Sequence, residues 1–306
     1  MKRQYFYYFL LVCTSLLWGG NFVAGKFMVG HTSSLTLTDL RWGVGVLCLL
    51  PIVWLQEKRL LPPKAAWIPL IFMGLTGVVF FNLFMFWALE RTTASNTGLI
   101  SALNPLSIAV VSFFLLKEKM NGRQIAGMFV SLFGVIIVMT HGEWQRLLQL
   151  RFNLGDLFML AAVLTWGFYA VASKAAMKYV SPLKSTLWGG IFGLVILVPF
   201  DAASFNLIDP DPAFWMAVLY IGVLGTVLGM GFWNIGVKHV GGTTSGMFLN
   251  LNPIFAAIFS FFLLGEQFTL LQAFGTAVVI GGLLLFSYRP RRKMQTISEA
   301  RSASSL

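Results

Sequence analysis

Long apolar stretches separated by short polar breaks occupy nearly the whole chain. Runs bounded by charges, glycine and proline lie near 6–29, 34–55, 67–89, 94–116 and 122–140, then near 155–177, 182–200, 213–237, 243–264 and 270–288. Each holds about 20 residues, the length a helix needs to cross a ~30 Å hydrocarbon core. The pattern predicts an all-α integral membrane protein of ten transmembrane helices. The polar breaks leave no room for a soluble domain. Residues 289–306 are basic and then serine-rich, the composition of a disordered tail.

The ten runs read as five used twice. Asn104-Pro105, Ser112-Phe113-Phe114-Leu115-Leu116 and Glu118 return 148 residues later as Asn252-Pro253, Ser260-Phe261-Phe262-Leu263-Leu264 and Glu266. The same gapless offset pairs Trp18-Gly19 with Trp166-Gly167, Lys26 with Lys174, Gly74 and Gly77 with Gly222 and Gly225, and Gly134 with Gly282. From 98–118 to 246–266, 11 of 21 positions are identical, more than shared apolar composition supplies. Residues 1–140 form the first repeat, 141–153 a linker with His141, Glu143, Arg146 and Arg151, and 154–288 the second repeat.

Composition agrees with the runs. Charged residues are 11% of the chain against about 25% in soluble domains, and mean hydropathy is +0.78. The net charge of +11 sits in short loops and the tail, as topology determinants do, so nucleic acid is excluded as a partner. With the N-terminus in the cytoplasm, sixteen Lys and Arg face inward and three outward, which places both termini inside a cytoplasmic (inner) membrane. Five is odd, so the repeats insert in opposite senses. Inverted repeats are a recurring device of secondary transporters, with solute held near the midplane between them. Lys2-Arg3 before an apolar run imitates a signal peptide, but the run continues to about Gly30 and reads as an uncleaved first span. Cys13 and Cys48 lie in apolar segments and imply no disulfide.

With repeat and runs established, the chain resembles the drug/metabolite transporter superfamily, and within it the EamA-type ten-span transporters. The likeness covers about 8–288. It rests on Leu17-Trp18-Gly19, Leu40-Arg41-Trp42, Asn104-Pro105 through Leu116-Lys117-Glu118, Leu164-Thr165-Trp166-Gly167, and Asn252-Pro253 through Leu264-Gly265-Glu266. The resemblance implies a central cavity lined by spans one, three and four and their partners six, eight and nine, with spans five and ten peripheral.

Candidate cavity residues follow. Trp18 and Asn21, like Trp166 and Tyr169, stand one helical turn apart at matching places. Asn82, Asn96, Asn104, Trp233, Asn234, Asn250 and Asn252 add amides and an aromatic to the implied lining. An aromatic and amide lining without fixed mid-depth charge suits a neutral, zwitterionic or aromatic metabolite. The other reading is Trp in an interfacial belt and Asn bonding a neighbouring helix. Pro105 and Pro253 are expected to kink the fourth and ninth spans and free the carbonyls of Ser101 and Leu249. Glycines at Gly222, Gly225 and Gly229, and small residues at Gly127, Ser131 and Gly134, read as close-packing faces.

Charges supply candidate gates. Lys26 and Lys174 lie eight residues beyond their Trp, either gating or attracting a carboxylate, or snorkelling to the interface. Asp39, Arg41, Glu90 and Arg91 are expected to form an outer network around Lys26, while the matching inner positions are Leu187, Gly189, Lys238 and His239, so the charges of the inner cluster are only basic. Glu118 and Glu266 read as capping or bridging residues. No Asp or Glu lies at mid-depth, unlike the embedded first-helix Glu of small multidrug resistance relatives. Histidines His31, His141 and His239 stand singly, without metal-ligand spacing, and no ATPase motif occurs. The expectation is no enzyme, no catalytic residue, no cofactor and no metal. The chain would be a secondary active transporter, monomer or homodimer, with a proton or other ion as possible coupling partner. It would export a small metabolite such as an amino acid by alternating access. The alternatives are efflux of drugs or toxic compounds, and a non-transporting membrane scaffold or lipid-handling protein.

Overall fold

A computed structural model describes residues 2–28, 30–89, 91, 100–140, 154–203, 205–264 and 270–287. In chain order it contains α1 (Lys2–Lys26), α2 (Ser34–Glu57), α3 (Trp67–Met73), α4 (Phe81–Leu89), α5 (Asn104–Leu116), α6 (Gly122–Thr140) and α7 (Leu154–Ala176). Then follow α8 (Pro182–Asp201), α9 (Pro212–Leu219), α10 (Gly231–Val240), α11 (Gly242–Met247), α12 (Asn252–Leu264) and α13 (Leu270–Ser287). Short π-helical segments, Gly74–Phe80 and Tyr220–Met230, join α3 to α4 and α9 to α10. Among the described residues the fold is all-helical. Seven helical stretches are long and apolar enough to cross a membrane, and Asn104–Leu116, Gly122–Ile137 and Ala273–Ser287 are shorter apolar helices. Exposed Leu47, Phe114, Val195, Phe200, Phe262 and Leu284 give the outside the apolar surface that lipid requires.

The two repeats interlock rather than standing side by side. α1 packs on Tyr220–Met230, α10 and α12, while its counterpart α7 packs on α3, Gly74–Phe80, α4 and α5. Individual contacts repeat at the 148-residue offset. Leu11 lies over Gly236 as Met159 clusters with Ala88; Trp18 lies over Gly229 as Trp166 meets Phe81; Asn21 lies over Gly225 as Tyr169 lies over Gly77. Gly19 meets Phe255 as Gly167 meets Ser107.

Two pairs of equivalent helices touch each other directly, and both run antiparallel. In α2 and α8, Thr36 Oγ1 donates to Asp201 Oδ1 (2.6 Å) at one end, and Lys184 Nζ meets Glu57 Oε2 (2.6 Å) at the other. Their N-caps are equivalent: Ser33 accepts from the Thr36 amide and Ser181 from the Lys184 amide. In α6 and α13, Gly127 abuts Gly282 and Phe286, and Gly134 abuts Gly275 and Val279. Lipid provides no hydrophobic drive between helices, so this pair depends on backbones meeting where side chains are absent. A Cβ on Gly282 would lie 2.4 Å from the Ser131 amide nitrogen.

Pro105 and Pro253 each fall in the first turn of an α-helix. Pro105 falls in the first turn of α5, after a turn at 102–103, where its missing amide costs no helical bond. In the second repeat α11 passes through a 3₁₀ turn, Phe248–Leu251, and α12 starts at Asn252. Of the two carbonyls expected to be freed, that of Leu249 is taken by the Asn252 amide, and the adjacent Phe248 carbonyl accepts from Ser15 Oγ (2.7 Å).

Candidate functional site

A tryptophan cluster occupies the crossing of the two repeats. The Trp18 and Trp166 rings meet edge to face with centroids 5.4 Å apart, and Trp233 lies 5.7 Å from each. Tyr169 stacks on Trp166 at 4.8 Å, and Phe81 lies 4.8 Å from Trp166 on another side. All three indoles and Tyr169 are buried in protein, which rules out an interfacial belt for them.

The π segments present backbone carbonyls to side chains. A π turn displaces the usual i−4 bonding, and here Trp18 Nε1 donates to Gly225 O (2.9 Å) and Thr226 Oγ1 to Ile221 O (3.0 Å). On the other copy Asn82 Nδ2 donates to Gly77 O (3.1 Å) and Val78 O (2.7 Å). Glycine is required where these segments meet the cluster: a Cβ on Gly77 would lie 2.2 Å from the Tyr169 ring, and one on Gly225 2.5 Å from Asn21 Oδ1. Asn234 Nδ2 donates to the Tyr169 hydroxyl (3.1 Å) and to Thr186 Oγ1 (2.8 Å). Thus Trp18, Asn21, Asn82, Trp166, Tyr169, Trp233 and Asn234 are joined in one network of contacts.

Several buried polar atoms have no protein partner: at the cluster or on the helices against it Asn21 Oδ1, Asn252 Oδ1, Ser107 Oγ and the indole nitrogens of Trp166 and Trp233, and, in the first turn of α5, Asn104 Oδ1. Buried polar groups are ordinarily hydrogen-bonded, so these acceptors and N–H donors are left over by the protein's own packing. Asn250 departs from the expected lining. Its Nδ2 donates to Ser131 Oγ (2.9 Å) and ties α6 to the 3₁₀ turn, although its Oδ1 is unpartnered. Asn96 lies outside the described residues.

The charged candidates are arranged differently from the expectation. Arg41 does not join an outer network. Its Nε donates to Thr226 Oγ1 (3.0 Å) and its Nη1 to Asn82 Oδ1 (3.3 Å), at the edge of the aromatic cluster. The cause is close approach: Gly45 and Gly222 let α2 lie against Tyr220–Met230, which turns Arg41 inward. The expectation of a lining without fixed charge therefore fails. Asp39 stays on the Thr36 face of α2 with Oδ1 unpartnered, and Arg91 Nη1 donates to Trp87 O. Glu90 and the Lys26 side chain lie outside the described residues.

At the Lys58–Lys178 end the charges are not only basic. Lys174 Nζ donates to Glu118 Oε1, and Thr243 Oγ1 lies 3.4 Å from Glu118 Oε2, so one carboxylate ties α5, α7 and α11 together. Glu118 reaches this place because Lys117, at φ 57°, ends α5 in the left-handed region and the Glu118 amide returns to Ser112 O. Lys174 bridges instead of snorkelling. Lys238 is exposed and stands outside this bridge, while neighbouring His239 stacks on Tyr7 at 4.1 Å. Sequence reasoning missed Thr226, Thr186, Phe81 and Thr243. Phe81 alone had a signal, as the counterpart of Gly229.

Interlocked apolar repeats around a polar-lined aromatic core, all within lipid-length helices, define a multi-pass membrane transporter. Two segments, residues 5–140 and 153–288, match the EamA-like transporter family, and the chain belongs to it. The uncharacterized transporter YyaM of Bacillus subtilis (strain 168) is 30% identical over 285 residues, covering 92% of this chain and 93% of that protein. An uncharacterized transporter of Archaeoglobus fulgidus is 28% identical over 279 residues, covering 90% of this chain and 95% of that protein. A solved crystal structure superposes with a TM-score of 0.75 over 94% of this chain and 99% of the other, at 21% identity, a likeness of fold.

Proposed function

We propose that the chain is a ten-span secondary active transporter with inverted five-span repeats, which exports a small metabolite such as an amino acid or derivative by alternating access. The observation that carries this reading is the reciprocal contact set, in which the packing contacts of Leu11, Trp18, Gly19 and Asn21 each have an exchanged counterpart at the same offset. Such an arrangement offers two related packings of one sequence, open to opposite faces. The antiparallel contact of equivalent helices, α2 with α8 and α6 with α13, supports an in-plane pseudo-dyad. Trp18 and Trp166 mark its level. The Lys174–Glu118–Thr243 bridge closes one end in this conformation, and solute enters the cluster when it parts. The excess of Lys and Arg at that end supports cytoplasmic termini in a cytoplasmic membrane.

The test is counterflow of labelled amino acids in vesicles containing the purified protein, compared with Trp166→Ala. Exchange of one or a few amino acids, lost in the variant, is the expected result. Movement of dyes alone would turn the reading to drug efflux, and no movement of any solute would end it.

A further inference from the structure

We infer that Arg41 is the anion-recognising end of the solute site and takes a carboxylate on the transported metabolite. This inference rests on the transporter reading above and narrows its substrate to acids.

A guanidinium keeps its charge in proteins and carries five N–H donors. Arg41 spends two of its donors, one on Thr226 Oγ1 and one on Asn82 Oδ1, and both acceptors are neutral. The guanidinium carbon also lies 5.9 Å from the Trp42 ring centroid, which offers no counter-charge. Among the described residues no carboxylate lies within ion-pair reach of it, whereas Lys174 and Lys184 each have one. Asp39, two residues earlier, stands about 200° around the helix on the face of Thr36, whose partner is Asp201. Charges drawn out of water are normally paired, and an arginine within a membrane helix is a functional-site hypothesis by default. With no counter-charge among the described residues, the partner of Arg41 is one that arrives and leaves.

Position agrees. Thr226 follows Gly225, whose carbonyl holds Trp18, and Asn82 is bonded to Gly77, on which Tyr169 rests. Arg41 thus links the π segment Tyr220–Met230 to α4, beside the aromatic cluster. Its remaining donors form the planar fork that suits a carboxylate.

The second repeat supplies an internal control. At the 148-residue offset Arg41, Asn82 and Thr226 correspond to Gly189, Met230 and Val78. There the equivalent helices pack through Gly189 on Met73 and Gly193 on Val78, with no polar group in those places. The helix crossing therefore does not need the polar trio. The trio occurs once, so an anion is taken in one orientation.

The test uses the full-length protein in detergent and reads its melting temperature with each protein amino acid in turn, beside the corresponding carboxamide. At least one acid should raise the melting temperature while its carboxamide does not. Arg41→Gln should abolish that rise while its ligand-free melting stays within a few degrees. Arg41→Lys, which keeps the charge and loses the fork, should weaken binding about tenfold or more. If Arg41→Gln does not fold, Arg41→Lys and the acid-to-carboxamide comparison decide. Equal response to acid and carboxamide, an Arg41→Gln protein that responds like the parent, or no response to any acid would each overturn the inference. Exchange of a neutral solute in vesicles with no acid bound would overturn it too, yet leave the transporter reading standing. An acid bound through Arg41 with no exchange of any solute would sink the transporter reading instead.

Discussion

Trp18 and Trp166 are the same residue of the two repeats, and their rings touch edge to face across the repeat boundary at 5.4 Å. In the inverted-repeat arrangement proposed above, equivalent residues meet only close to the axis that exchanges the repeats, and this pair is where that axis would pass. The two are not chemically equal. Trp18 Nε1 is bonded to Gly225 O, and Trp166 Nε1 has no partner. Trp18→Phe should lower stability by about 1 kcal/mol more than Trp166→Phe, the net worth of one hydrogen bond. Paired thermal melts in detergent check this. Trp166→Phe should affect counterflow more than melting, because the atom it removes serves no internal bond.

The contact of α6 with α13 is backbone against backbone, so neither side can yield. Gly282→Ala places a methyl 2.4 Å from the Ser131 nitrogen and should cost about 1–3 kcal/mol. Gly281→Ala, with open space around its Cβ position, should melt like the parent protein. Equal melting of the two variants would contradict the close approach.

Lys174 and Glu118 are each partly exposed, with side chains 35% and 28% accessible, so their pair should add no more than about 1 kcal/mol to stability. Its effect should appear in transport. Lys174→Glu should slow exchange several-fold, and Lys174→Glu with Glu118→Lys should recover most of the rate, as counterflow in vesicles would record.

Lys184 is more deeply placed, with its side chain 8% accessible against 27% for Glu57. Removing one partner of a fully buried pair costs about 3–5 kcal/mol, and the partial exposure of Glu57 reduces this to about 2 kcal/mol. Glu57→Gln should therefore lower the melting temperature by several degrees. Lys184→Met combined with Glu57→Leu should restore much of the loss.

Seven of the spans were legible because bilayer thickness imposes a length, and the duplication because the 148-residue offset has no gap. Trp18 and Trp166 stood out for the same reason. An offset identifies equivalent residues but says nothing of which ones touch, so the crossing of α1 onto the opposite repeat was hidden. The π segments were hidden too, since glycine at helical spacing reads as a packing face. Arg41 was misplaced because its partners lie 41 and 185 residues away, and two glycines on facing helices decide which way it turns. The proline breaks were overestimated as sources of free carbonyls because a 3₁₀ turn closes one locally.

The helix pair α2 and α8 is pinned by polar groups at both of its ends, Thr36 to Asp201 and Lys184 to Glu57. Sliding one helix along the other by a single turn would unmake both fastenings together, whereas tilting about them would unmake neither. Conformational cycling should therefore keep the register of this pair constant and swing the remaining helices around it, like leaves on a hinge pin. Cross-links spanning α2 and α8 should be tolerated by a working protein, and those joining α5 to α7 should arrest it.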